Sequence, residues 1–424
     1  MKFEKQILPT GLRVLFAPIE NNTTITVLVL TATGSKYETK EINGISHFLE
    51  HMCFKGTVKR PSAELISKEL DQIGGEFNAF TSKEYTGYFA KVRAEHGEIA
   101  LDVVSDIFSH QLLKTEEIER EKGVIIEEIN LYQDTPTSYI GDIFEELLYG
   151  DQPAGWKVAG EKKNILSLTQ KHFLEYIHDH YSASNSLVIV AGDPKFGAKL
   201  FETAKDYFND VRESIPLPKL HVKEKQNRPG LKIHFKETDQ VHIAIGVRAF
   251  NILDPRRFAL SLLSIILGGG MSSRLFLSVR ERHGLAYYIR TETEHYTDSG
   301  YLATVAGITK EKINDALQII LHEYKKIRDE HISPEELKKA KEYIKGKMTL
   351  GLESSDEVAS FLGGQEVLTG KILTPEEIFS NIEKVSEEEV RAVASEIFRP
   401  ESLNLALIGP FKDEKPFVDI LSSF

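Results

Sequence analysis

The chain carries His47-Phe48-Leu49-Glu50-His51, two imidazoles and a carboxylate spaced three and four apart. On a helix of 3.6 residues per turn these side chains share one face. Such a face can hold a divalent metal beside a base. Neutral imidazole is a common zinc ligand, zinc lowers the pKa of a bound water to about 7, and an adjacent carboxylate can take the proton released. Composition alone gives fewer than about 0.1 such patterns per chain. The competing reading is an amphipathic helix whose two histidines are solvated or satisfied by hydrogen bonds.

A tetrahedral catalytic zinc takes three protein ligands and leaves one position open, so a further ligand must come from another element. The single cysteine, Cys53, excludes thiolate clusters and internal disulfides, leaving His and carboxylates to supply it. Cys53 itself lies two residues past His51, about 200° around the helix, and is read as packed rather than reactive. The helical stretch from Thr115 to Tyr132 offers Glu121, Glu127 and Glu128. Residues 121 and 128 share a face with Val124 and Ile125 between them, so this face is expected to be apolar apart from the two carboxylates. A carboxylate on a buried face needs a partner. Glu116, Glu117 and Glu119 fit a solvated acidic face instead.

Elements that could hold such a site are plentiful. With 424 residues, 41% of them hydrophobic, the chain is too long for one core, and two domains are expected. A formal charge of −12 argues against nucleic acid or an anionic membrane as partner, since both demand a basic face. The start, MKFEKQILPTG, lacks a signal-peptide stretch, and no window reaches the ~18 apolar residues of a membrane span. The expectation is a soluble, cytoplasmic protein.

The second half repeats the first. Gly11–Phe16 aligns with Gly230–Phe235, and each is followed by a second apolar run, 24–32 and 241–249, which predicts an opening hairpin in each half. Glu116-Glu117-Ile118 falls on Glu335-Glu336-Leu337, and 168–193 aligns without gaps to 385–410 as capped helix, turn and strand. Between the halves, 212–230 carries Pro216, Pro218, Pro229 and Gly230 among charges and reads as a linker. The fold class is therefore α+β: two duplicated domains, 1–211 and 231–424, each an antiparallel-type sheet with helices packed on one face. Chemistry is confined to the first copy. The stretch corresponding to the His47 helix, 255–270, has neither His nor Glu, and Lys347 stands where Glu128 would repeat.

These residues resemble, over essentially the whole chain, the M16 family of zinc peptidases, with its inverted zincin motif H-x-x-E-H. The interval from His51 to Glu128 matches the family's spacing to its third ligand. The resemblance implies that His47, His51 and Glu128 bind one zinc ion per chain, that Glu50 is the general base, and that Glu121 orients the site through a ligand. Gly34-Ser35-Lys36-Tyr37-Glu38 and Phe77-Asn78-Ala79-Phe80-Thr81 also look like the family. The latter implies an edge strand to which a substrate peptide adds, with Asn78, Ala79 and Phe80 as contacts. In the second half, Gly268-Gly269-Gly270 lacks the Lys-Ser/Thr of a phosphate loop and is read as a turn or mobile loop. Downstream, Arg280 and Tyr287 match a pair that holds the substrate carbonyl. The family resemblance further implies a homodimeric clamshell around a chamber that admits peptides or unfolded segments. Rival readings are a processing peptidase for presequences, a structural core-type subunit without activity, and a zinc-dependent peptide binder that does not cleave.

Overall fold

The structure is a computed structural model and describes residues 1–424. Eleven strands form two sheets. The first contains β1 (Glu4–Ile7), β2 (Arg13–Pro18), β3 (Thr24–Thr31), β4 (Glu76–Thr81), β5 (Thr86–Arg93) and β6 (Ser186–Gly192), in the order β1-β2-β6-β3-β5-β4. The second contains β7 (Gly230–Phe235), β8 (Gln240–Arg248), β9 (Ala286–His295), β10 (Gly300–Thr309) and β11 (Asn404–Gly409), in the order β7-β11-β8-β10-β9. The expected α+β class with two sheets is present, and pairing is antiparallel except for one parallel pair in each sheet.

Neither expected opening hairpin forms. β6 lies between β2 and β3, with Ile189 opposite Leu15 on one side and Leu28 on the other. In the second sheet β11 lies between β7 and β8, with Leu407 opposite Ile233 and Ile243. The reason is visible in β6 itself: SLVIVAG is buried at every position. A strand with no polar face is unsuited to an exposed place and takes the middle of the sheet, with partners on both edges.

The compact units also differ from the expected division at 212–230. One unit comprises residues 1–130, 156–220 and 349–373, the other 131–155, 221–348 and 374–424. Each half of the sequence thus lends one helix to the unit built around the other half's sheet. In the first unit, Val14, Phe16, Val27, Val29 and Val190 pack with Phe48, Leu49, Val104 and Phe173 on one face of the sheet. The alternate residues Leu15, Leu28, Leu30 and Ile189 pack against Val358, Ala359 and Leu362 of the helix Ser355–Thr369. The expectation of helices on one face only is therefore corrected: strands apolar on both sides need a cover on both. Polar contacts fix this borrowed helix. Ser355 Oγ bonds Thr24 and Thr26 (2.9 and 2.8 Å), and the buried Glu366 takes Lys5 Nζ at 2.5 Å and Arg13 at 3.3 Å.

In the second unit the borrowed helix is Pro136–Tyr149, whose Ile140, Ile143, Phe144 and Leu148 pack on Ala244, Val305, Ala406 and Ile408. Its Glu145 accepts hydrogen bonds from Tyr296 and Tyr301. On the opposite face Tyr324 donates to Thr304 Oγ1 at 2.6 Å from the helix Ile313–Asp329. The repeat read as helix, turn and strand is reproduced closely. Gln170–His180 and Glu387–Ile397 are equal in length, and each leads through a short helical turn, Ala183–Asn185 or Pro400–Ser402, into β6 or β11. No helix is long and apolar enough to cross a membrane.

Candidate metal centre

The motif lies on the helix Ile45–Cys53. Ile45, Phe48, Leu49 and Met52 recur at helical spacing and are fully buried, which turns His47, Glu50 and His51 to the opposite, half-buried side. Gly44 caps the helix at φ 102°, a left-handed conformation that favours glycine, and supplies no capping side chain. Glu38, from the Gly34–Glu38 segment, takes over that role. Its Oε2 accepts from the Gly44 amide and Asn43 Nδ2, both at 2.8 Å, and its Oε1 accepts from the Ser46 amide (2.8 Å) and Ser46 Oγ (2.6 Å). Burial pushes the Glu38 pKa up, against the hydrogen bonds from Ser46, Gly44 and Asn43. The first turn is thereby anchored one residue before the first imidazole. Cys53 is buried as expected and donates to Tyr88 Oη at 3.4 Å, and burial raises its thiol to about 12.

The acidic helix runs Thr115–Asp134 and buries Ile118, Glu121, Ile125 and Ile129 as one stripe. Val124 departs from the expected apolar face and is 49% exposed, because it falls outside that stripe. Glu127 is exposed, whereas Glu128 is half-buried and turned to the histidines. Its two oxygens stand 3.5 Å from His47 Nε2 and 3.5 Å from His51 Nε2. The three candidate ligand atoms all lie within 4.8 Å of one another.

This donor set fits zinc. Two ligand atoms about 2.0–2.2 Å from a tetrahedral zinc lie roughly 3.3–3.6 Å apart, the spacing each imidazole keeps from the carboxylate. Two imidazoles and one carboxylate also match its preferred chemistry. The electrostatics suit a cation: burial alone would depress the His47 pKa, but Glu128, Glu50 and Glu38 outweigh it and the net shift is upward. Glu128 is lowered, first by its contact with His47.

The two imidazoles are supported unequally. His51 Nδ1 meets Glu121 Oε1 at 2.9 Å, and Lys55 Nζ meets the other Glu121 oxygen at 2.6 Å. Burial would raise the Glu121 pKa, but His51 and Lys55 outweigh it and hold it below the usual carboxylate range. His47 Nδ1 is buried without a partner. Glu50 points toward the sheet, where Thr81 Oγ1 donates to its Oε2 at 2.5 Å.

β4 is the edge strand of its sheet, as expected. Phe77 and Ala79 pack on the side that bears the motif helix, Phe80 packs on the other side, and Asn78 is exposed with its Oδ1 on the Ala79 amide at 2.9 Å. Asn78, Ala79 and Phe80 therefore do not share a face. Gly268 ends the helix Arg257–Gly268, and the turn after it is tied down by a two-pronged Arg274–Glu336 pair at 2.8 and 2.9 Å. Arg280 sits in the π-helical turn Phe276–Arg282 with its guanidinium over the Phe276 ring, and Tyr287, the second residue of the edge strand β9, is 74% exposed. Both belong to the second unit. Two participants escaped the sequence reading. Lys55 lies two residues past the end of the motif helix, where helical spacing from His51 no longer holds, and Thr81 shares strand parity with Phe77 and Ala79.

Two family models match the chain: "Insulinase (Peptidase family M16)" over residues 13–162 and "Peptidase M16 inactive domain" over residues 167–344. The chain is similar to the uncharacterized zinc protease YmxG of Bacillus subtilis, 36% identical over 408 residues that cover 94% of this chain and 96% of the relative. An uncharacterized zinc protease of Streptomyces coelicolor is 31% identical, covering 96% and 90%. Among solved structures, a protease from Helicobacter pylori superimposes with a TM-score of 0.90 at 26% identity, covering 96% of this chain and 99% of that one. A Pseudomonas fluorescens structure described as a peptidase M16 inactive domain shares the fold, with a TM-score of 0.88 at 18% identity.

Proposed function

The chain belongs to peptidase family M16, and from that premise we propose that it is a zinc-dependent endopeptidase acting on peptides or unfolded segments, with Glu50 as general base. The observation that carries the reading is the convergence of His47, His51 and Glu128 from two helices, with a carboxylate one residue from the second ligand. Zinc held by these three side chains would supply Lewis-acid polarisation of a water and of the scissile carbonyl.

The protein's own groups do the rest. Glu50 takes the proton of the attacking water and delivers one to the departing amine nitrogen, so no covalent enzyme intermediate is needed. Glu121 fixes the His51 ring by accepting from Nδ1, leaving Nε2 free as a ligand, and Lys55 neutralises the carboxylate that does so. The free edge of β4 offers backbone hydrogen bonds to an extended peptide, a mode that tolerates many sequences. Arg280 and Tyr287 serve as donors to a peptide carbonyl oxygen. The protein works as a homodimer, one zinc per chain, and resides in the cytoplasm.

The test is Glu50→Gln. The variant is expected to keep one zinc per chain and the wild-type melting temperature while losing cleavage of a mixed peptide library by several orders of magnitude, because only the proton acceptor is removed. Cleavage at the wild-type rate would remove Glu50 from the mechanism. A monomer by light scattering at working concentration would remove the dimer.

A further inference from the structure

We propose that Thr81 is a positioning residue for the reaction, aligning Glu50 from the strand to which the substrate peptide adds. The proposal rests on the reading of Glu50 as general base. Thr81 is the last residue of β4, and its hydroxyl donates to Glu50 Oε2 at 2.5 Å. The contact follows from the two-residue period of a strand. Phe77 and Ala79 face the side bearing the motif helix, so residue 81 faces it too, whereas Phe80 packs on the far side. A slip of one residue would carry the hydroxyl away from the carboxylate.

The geometry divides the two oxygens of Glu50. Oε2 is occupied by Thr81, while Oε1 has no hydrogen-bond partner in the protein and stays available to a water. A glutamate has three side-chain torsions, and a hydrogen bond from the strand restricts them. Thr86, paired with Thr81 on the neighbouring strand, spends its own hydroxyl on the Thr33 carbonyl at 2.9 Å and cannot substitute. Because β4 is also the sheet edge, a peptide that adds to it braces the strand that aims the base. Substrate docking and base alignment are thus linked through one residue.

Thr81→Val keeps the β-branched shape and removes only the donor. With the best-cleaved internally quenched peptide from a mixed library, kcat is expected to fall about ten- to a hundred-fold, while KM changes less than about threefold. Thr81→Ser, which restores the hydroxyl, is expected to recover kcat to within about threefold of wild type. Zinc content and melting temperature report whether valine has disturbed the strand, and if they change, Thr81→Ala removes the same hydroxyl without the added methyl. A purely structural role would lower stability without the split between kcat and KM and without rescue by serine. Full kcat in Thr81→Val, with Glu50→Gln inactive, overturns the role of Thr81 and leaves the general base standing. Activity retained in Glu50→Gln overturns the reading beneath both.

Discussion

Replacing Glu121 separates holding the metal from doing chemistry. Its side chain is 4% exposed, and its two oxygens take His51 Nδ1 at 2.9 Å and Lys55 Nζ at 2.6 Å. In Glu121→Gln the shape survives and the charge goes. A hydrogen bond to a charged group is worth about 1.5–3 kcal/mol against about 0.5–1.5 for a neutral one, so His51 loses roughly 1–1.5 kcal/mol of orientation. The Lys55 ammonium then faces the ligands without its counter-charge, although at 27% exposure water screens part of that penalty. Together these cost about 1.5–3 kcal/mol of binding, or roughly ten- to a hundred-fold in zinc affinity, since about 1.36 kcal/mol is tenfold. The assay is competition for zinc between the metal-free protein and a chromophoric chelator, with Glu127→Gln, on the exposed side of the same helix, as control. Zinc-saturated Glu121→Gln should retain most of its kcat, and adding Lys55→Met should recover part of the lost affinity. An unchanged dissociation constant, or an equal change in Glu127→Gln, would refute the assignment of Glu121 as the support of His51.

Other perturbations probe the scaffold and the second unit. His180 is buried beside the Tyr176 and Tyr37 rings, and burial lowers its pKa from 6.5 to about 4. The unfolded chain therefore binds a proton between those values that the folded one refuses. About 3 kcal/mol of stability is lost as the pH falls from 6.5 to 4, a dependence that urea titrations should find absent from His180→Phe. Glu366→Ala leaves Arg13 and Lys5 without their buried partner and should cost roughly 2–4 kcal/mol in urea unfolding, scaled down because both cations are partly solvated. No loss would mean that apolar packing and the Ser355 hydrogen bonds hold the borrowed helix without the ion pairs. Arg280→Ala is expected to lower peptide turnover with one zinc per chain retained; parallel loss of zinc by elemental analysis would place the arginine in the wrong role.

What the sequence made legible was local chemistry and local periodicity. The spacing within 47–51 places three polar groups on one helical face, and the apolar stripe at 45, 48, 49 and 52 makes that face the outward one. The helix-to-strand repeat survived because its caps and apolar positions lie close together along the chain. What stayed hidden were decisions taken between distant segments. β2 and β3 look like neighbours because they are adjacent in sequence, yet the apolar faces of β6, which follows only after β4, β5 and most of the first unit's helices, win the place between them. The borrowed helices were hidden for the same reason: Pro136–Tyr149 and Ser355–Thr369 carry apolar residues that would suit either sheet, and only the three-dimensional match decides.

The two copies show why the fold could outlive the site. The positions that build the second sheet, such as Ile243, Ile245 and Leu407, are apolar and fully buried, and none depends on a metal ligand. The candidate site in the first copy, by contrast, lies at the margin of the core, where His47, His51 and Glu128 are all half-buried. The second copy has the apolar run of Arg257–Gly268 and Lys347 at the corresponding positions and keeps the same strand order without the candidate ligands. The same separation bears on engineering. On the proposed mechanism, grafting two histidines and a glutamate onto the second copy would not suffice, because the proposed site also uses the amide anchor of Glu38, the contact of Glu121 with His51 and Lys55, and the Thr81 hydroxyl on Glu50.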